Sequence, residues 1–212
     1  MKEKKFIFKT EQEEFWSGEF GDNYSERNEG KNRIASDTAL FAKVLKNTKN
    51  IESILEFGAN IGLNLMAMKT LLPNANLSAI EINTAAVEEL KTNIKHIKVY
   101  PMSIFDYKSI KKSDFVFIKG VLIHINPDEL GTVYKKLYDS SSKYICIAEY
   151  YNPSPVTISY RGHADRLFKR DFAGEFMDKY SDVNLIDYGF VYHRDNNFSQ
   201  DDITWFLFEK NK

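Results

Sequence analysis

Short apolar runs alternate with amphipathic stretches along the middle of the chain. "SILEF" (53–57), "LSAIEI" (77–82), "IKVYP" (97–101), "DFVFIKG" (114–120) and "KYICIAEY" (143–150) read as strands. Between them, residues 61–72, 84–95 and 127–139 carry apolar positions at helical spacing, the first stopped by Pro73 and the last opened by Pro127. Strands separated by helices of this length need βαβ crossovers, hence a parallel sheet with helices on both faces. Residues 9–22 are expected to form an amphipathic helix with Phe15, Trp16 and Phe20 on its apolar side. A polar loop bearing Tyr24 follows over 21–33. A helix is expected from about Ser36 to Leu45, capped by Ser36 or Asp37, with Leu40, Phe41, Val44 and Leu45 as its stripe. Beyond 150 the rhythm changes. Residues 152–170 read as an irregular insertion, 171–180 as a helix, and 183–193 and 202–210 as two strands. Only eight residues join those strands, too few for a crossover, so they should be antiparallel. The predicted fold is doubly wound α/β, a mostly parallel seven-stranded sheet whose last strand runs antiparallel.

The turn "EFGANIG" (56–62) follows the first strand, where a doubly wound sheet places its ligand. Gly58 would let the backbone turn beneath a nucleotide, and Gly62 would let the helix pack closely on the sheet. The spacing departs from the dinucleotide fingerprint, because Asn60 stands where its middle glycine would be. Nothing there is shaped to admit a pyrophosphate. An acid, Glu81, ends the second strand nineteen residues after Gly62, placed to accept both hydroxyls of a ribose.

Bulk properties narrow the class. The 212 residues suffice for one domain with a full core, and 43% hydrophobic and 14% aromatic content mark it as globular. Its parts are 1–48 (amino-terminal helices, a lid), 49–150 (cofactor-binding half) and 151–212 (substrate loop and carboxy-terminal hairpin). Twenty-nine basic against thirty acidic side chains give no excess for a phosphate backbone, so nucleic acid is not an expected partner. No run approaches a membrane span or a signal peptide, and the single cysteine, Cys146, lies in an apolar strand. A cytoplasmic location without membrane association is expected. No His/Cys/Asp/Glu cluster has metal-ligand spacing, so no metal is expected.

On these residues the chain resembles the class I S-adenosylmethionine-dependent methyltransferases. "ILEFGANIG" is similar to their first motif, "LSAIEIN" to the second, "SIFDY" (103–107) to the third and "SDFVFIKGVLIHI" (113–125) to the fourth. The antiparallel ending is similar to that family's seventh strand, inserted beside the fifth. The resemblance implies a Rossmann-like methyltransferase fold that binds S-adenosylmethionine and yields S-adenosylhomocysteine. It also implies cofactor contacts from Glu56, Gly58, Ala59, Asn60, Gly62, Glu81, Ile82, Ser103, Ile104 and Lys119. A nearer resemblance runs from end to end. "EEFWSGEFGDNYSERN", "EYYNPSPVTISYRGHADRLFKRDFAGEFMDKY" and "YGFVYHRDNNFSQDDITWFLFEK" resemble methyltransferases encoded with pseudaminic acid biosynthesis genes in bacteria that glycosylate flagellins. This implies a small-molecule acceptor in nonulosonic sugar metabolism, an anionic sugar or sugar nucleotide.

Methyl transfer needs positioning and desolvation, and a base only where the acceptor is a hydroxyl. His124, after the fourth strand, and Tyr151 are the catalytic candidates; the alternative for His124 is a packed ring serving a helix start. The insertion after the fifth strand overhangs the sheet's carboxyl edge, and supplies Asn152, Tyr160, Arg161 and His163 as acceptor-binding candidates. Arg161 is suited to a carboxylate or phosphate, against the alternative of a solvated charge. Lys169 and Arg170 read as structural. In the amino-terminal lid, Trp16 and Tyr24 would shield the sulfonium and Arg27 would reach the methionine carboxylate. Two other functions compete: an S-adenosylmethionine-binding regulator without turnover, and a nicotinamide-dependent sugar oxidoreductase, whose fingerprint Asn60 spoils.

Overall fold

The computed structural model describes residues 8–21, 31–160 and 163–211, without side chains at 31, 32 and 163–166. Seven strands form one sheet: β1 (Ser53–Phe57), β2 (Asn76–Glu81), β3 (Lys98–Pro101), β4 (Ser113–Lys119), β5 (Ser141–Glu149), β8 (Val183–Val191) and β9 (Ile203–Lys210). Their order is β3-β2-β1-β4-β5-β9-β8, with β1 to β5 mutually parallel and β9 antiparallel to both its neighbours. This is the doubly wound sheet with an antiparallel last strand that the sequence pattern predicts. Order reverses between β1 and β4, and that switch point leaves a crevice at the carboxyl edge.

The central strands are continuous apolar runs because both their faces are covered. Alternation divides them. Ile54, Phe115, Phe117 and Cys146 face Leu40, Phe41 and Val44 of α2 (Lys31–Leu45) together with α3 (Leu63–Leu71) and α4 (Thr84–Asn93). Leu55, Phe57, Val116, Ile118 and Ile147 face α5 (Leu130–Ser140) and α6 (Phe172–Lys179). Burial pushes the Cys146 thiol up to about 12, so it is inert at neutral pH. Among the described residues no helix is long and apolar enough to cross a membrane.

Three expectations are corrected. Helix α2 begins at Lys31 rather than Ser36. Asp37 caps nothing: its carboxylate turns inward to the Lys119 ammonium (3.0 Å) and the Gln200 amide (3.1 Å). The insertion is not irregular but a hairpin, β6 (Val156–Tyr160) paired antiparallel with β7 (His163–Lys169). The amino-terminal helix, α1 (Glu11–Ser17), starts at a capping box in which Thr10 and Glu13 each accept a backbone N–H of the other's end.

The Asp37–Lys119 pair is almost wholly buried, with side chains 1% and 4% exposed. Removing one partner strands the other charge in the interior. Asp37→Ala should therefore destabilise the fold by about 3–5 kcal/mol. Adding Lys119→Met should restore most of that loss, both read from urea unfolding midpoints at unchanged slope.

Candidate active site

One cavity of about 220 Å³, counted as space open to the centre of a water molecule, occupies the crevice at the switch point. Its floor is the turn after β1. The Gly58 and Ala59 amides both donate to the Ile80 carbonyl (2.9 and 3.2 Å), which ties this turn to β2. Gly58, Asn60 and Gly62 all have left-handed backbones, with φ of 72°, 48° and 86°. A Cβ on Gly58 would lie 2.7 Å from Val121 Cγ2, and one on Gly62 would lie 3.1 Å from Leu90 and 3.3 Å from Ile94. The turn expected at Gly58 is present, and the packing partner of Gly62 differs from expectation. Gly58 makes room for Val121, and Gly62 lets α3 approach α4 rather than the sheet.

Glu81 ends β2 and lines the cavity, 7% exposed. One carboxylate oxygen accepts the Asn60 amide at 2.7 Å and the other the Asn83 amide at 2.8 Å. Burial nevertheless raises its pKa, outweighing those N–H groups. Each oxygen keeps a lone pair for a further donor. Glu56 is fully buried behind Asn64, whose side-chain amide donates to Oε1 at 2.7 Å. Its Oε2 has no hydrogen-bond partner among the described residues, and burial lifts its pKa far above the carboxylate range. Asn64, Arg33, Asp37 and Lys119 border the same end of the cavity.

Beyond β3, Ser103 and Ile104 line the opposite end. The Ser103 hydroxyl bonds the Glu13 carboxylate of α1 and accepts the Phe105 amide at 3.0 Å. Trp16, one turn further along α1, lines the cavity, and its carbonyl accepts the Asn83 side-chain amide at 3.4 Å. The Trp16 ring lies 4.6 Å from the His124 ring, which lies 5.2 Å from Tyr160 of β6. Three segments remote in sequence thus meet in one aromatic wall.

His124 ends a short 3₁₀ turn, Leu122–His124, that Glu149 holds in place. One oxygen of Glu149, the last residue of β5, accepts the Val121 and Leu122 amides, each at 2.9 Å. The other oxygen is buried with no hydrogen-bond partner among the described residues, and burial raises the pKa to about 7.

The structure therefore gathers Gly58, Ala59, Asn60, Glu81, Ile82, Ser103, Ile104, Lys119, His124 and Tyr160 around one cavity, with Gly62 and Glu56 just outside its walls. Two candidates lie elsewhere. Tyr151 is 43% exposed, bridged to Arg170 and packed on the Phe206 ring at 6.2 Å. Asn152 turns back to the Ser154 carbonyl at 2.5 Å. Both are moved away because β5 ends at Glu149 and the chain then leaves the cavity to start the hairpin. Arg170 pairs with Glu175 at 2.5 Å, and Lys169 stacks over Tyr150. Tyr24, Arg27 and Arg161, and the side chain of His163, lie outside the described residues. Among the described residues no group of three His, Cys, Asp or Glu could hold a metal ion.

Sequence reading missed Glu13, Asp37, Asn64 and the holding role of Glu149. Two of these carried a signal: "TEQE" is a capping box, and Glu149 ends its strand as Glu81 does.

No protein-family model and no curated protein sequence matches the chain. Solved structures do match it. Magnesium protoporphyrin IX methyltransferase from Synechocystis PCC 6803, with bound SAM, superposes at a TM-score of 0.69 and 10% identity over 97% of this chain and 100% of that one. The N-methyltransferase NodS from Bradyrhizobium japonicum WM9, with S-adenosylhomocysteine, gives 0.66 and 12% over 90% and 98%. The plantazolicin methyltransferase BpumL, in complex with a pentazolic desmethylPZN analog and SAH, gives 0.62 and 15% over 91% and 90%. The shared fold is that of class I methyltransferases.

The buried acids fix the sign of the pH dependence. Glu149 holds its proton to about pH 7 when folded and loses it near 4.5 otherwise, so folded protein binds more protons between those values. Stability should fall as pH rises from about 4.5 to 7, on the order of 3 kcal/mol for this group. Glu56 and Glu81 act in the same direction. Glu149→Gln keeps an acceptor for both amides and should flatten that part of the slope, measured by denaturant titration from pH 5 to 8.

Proposed function

We propose that the cavity binds S-adenosylmethionine and that the protein transfers its methyl group to a small acceptor entering at the aromatic wall. The observation that carries this reading is Glu81. A buried carboxylate with spare lone pairs lines the same cavity as the Gly58–Gly62 turn, at the switch point of a fold whose solved relatives hold this cofactor or its product. Glu81 would take the ribose hydroxyls, and Ile82, Ser103 and Ile104 would flank the adenine. Asn64 and the charged end at Arg33, Asp37 and Lys119 would receive the amino-acid portion. The cofactor supplies a methyl group made electrophilic by a sulfonium.

The chain's own part is to hold, orient and exclude water. Trp16 and Tyr160 close the cavity beside His124, whose neutral imidazole can accept a proton from an acceptor hydroxyl at hydrogen-bond distance. Glu149 keeps that ring in position by fixing the turn beneath it. The β6–β7 hairpin reaches the cavity through Tyr160 and Leu167. Arg161, between its strands, is the proposed anion contact for a nonulosonic sugar or sugar nucleotide. The end-to-end resemblance to methyltransferases associated with pseudaminic acid genes supports this acceptor class.

Titration calorimetry should show binding of S-adenosylmethionine and none of NAD; the reverse result would sink the cofactor reading. Glu81→Ala removes charge-assisted hydrogen bonds worth about 1.5–3 kcal/mol each, so S-adenosylhomocysteine should bind more than tenfold more weakly. With sugar extracts as acceptor, turnover should release S-adenosylhomocysteine and add the mass of one methylene to an anionic sugar. Once that acceptor is in hand, Arg161→Lys should raise its KM while cofactor affinity stays within about twofold, since the charge survives but the planar fork does not.

A further inference from the structure

The far edge of the sheet carries a surface that the cavity does not use. No strand lies beyond β8 among the described residues, so one side of its backbone has no strand partner among them. Natural sheets blunt such edges with lysine, proline or inward charges. β8 has neither lysine nor proline, and its one charge, Asp187, is bound on the opposite face by Asn47 (2.7 Å) and Lys46 (3.6 Å).

The pairing with β9 sorts the side chains of β8. Gly189 and Val191 lie opposite Trp205 and Ile203, on the face covered by α2. Leu185, Tyr188 and Phe190 lie opposite Phe208, Phe206 and Thr204, on the other face. There Leu185 is 37%, Tyr188 66%, Phe190 55% and Tyr192 46% exposed, next to Tyr151 at 43%. Tyr188 stacks on Phe206 at 6.3 Å, and Phe190 lies 6.2 Å from Tyr192, so the rings make one continuous strip. At roughly 200 Å² for an aromatic side chain, the exposed parts of Tyr188, Phe190 and Tyr192 offer about 330 Å². A stable interface buries about 800 Å² on each partner, so these rings supply roughly two-fifths before Leu185 and the backbone edge count.

We propose that this edge joins two copies of the chain, β8 against β8, into a two-fold homodimer with one continuous sheet. The strip is self-complementary. Antiparallel pairing centred on Gly189 sets Tyr188 against Phe190 of the second copy and Phe190 against its Tyr188, all on one face. The same operation satisfies the free edge amides and carbonyls of both strands. A two-fold contact of this kind closes on itself, which limits assembly to two chains. This inference is independent of the cofactor reading, because no residue of the strip lines the cavity.

Light scattering after size exclusion should give twice the chain mass of 24.6 kDa for the wild type. Tyr188→Lys/Phe190→Lys should give the single-chain mass with an unchanged circular dichroism spectrum. Should lysines disturb the strand, Tyr188→Thr/Phe190→Thr removes the rings while keeping strand propensity, and should also give the single-chain mass. A wild type of single-chain mass overturns the proposal. So does a dimer that survives both double substitutions.

Discussion

Buried ionisable groups at the carboxyl edge of the sheet are the constraint on which the rest of the structure depends. Glu81, Lys119 and Glu149 are the last residues of β2, β4 and β5, and Glu56 is the next to last of β1. All four are at most 8% exposed. An ionised group in such a place costs several kcal/mol unless donors or an opposite charge surround it. Turns beyond the strands supply the Asn60 and Asn83 amides to Glu81 and the Val121 and Leu122 amides to Glu149, and helix α2 supplies Asp37 to Lys119. The ends of β2 and β5 therefore fix the path of neighbouring turns, and those of β1 and β4 hold side chains of α3 and α2. Those turns carry part of the cavity lining, and α1, α2 and the β6–β7 hairpin supply much of the rest.

The compensation is incomplete. Glu56, Glu149 and Asp37 each keep one oxygen without a hydrogen-bond partner among the described residues. For Glu56 and Glu149, burial raises the pKa and favours the protonated form, which lessens the charge rather than pairing it. The cavity thus rests on a shell held partly by amide donors and partly by protonation. A neighbouring cation or proton shifts both together. The amino-terminal wall uses the same device, since Glu13 spans the Lys9 and Thr10 amides and the Ser103 hydroxyl.

How much of this the sequence discloses follows from the range of each interaction. The seven strands and their order of direction were legible, because apolar runs 4–9 residues long and loop lengths are local signals. The turn at 56–62 and Glu81 were legible as a pair because strand ends in such sheets converge. The start of α2 was not. Asp37 looks like a cap, and only the fold shows that Lys119, eighty-two residues on, takes it instead. The hairpin at 156–169 was legible in principle: "VTISY" has strand-forming residues and Gly162 marks a turn, but Pro153 and Pro155 gave the stretch an irregular look. Tyr151 shows the limit of distance along the chain as a guide. It adjoins Glu149 and Tyr150 in sequence, yet it lies on the outer surface.

The two tryptophans occupy contrasting places. Trp205 is 3% exposed in the sheet, its ring pressed against the backbone of Gly189, where a Cβ would lie 2.7 Å away. Trp16 stands on the cavity wall between Phe20 and His124, held by aromatic contacts rather than by a strand. The molecule consequently carries two intrinsic fluorophores with separate duties. The emission of Trp205 follows the integrity of the sheet, and that of Trp16 follows what fills the cavity. One chain therefore contains both its reference signal and its optical sensor.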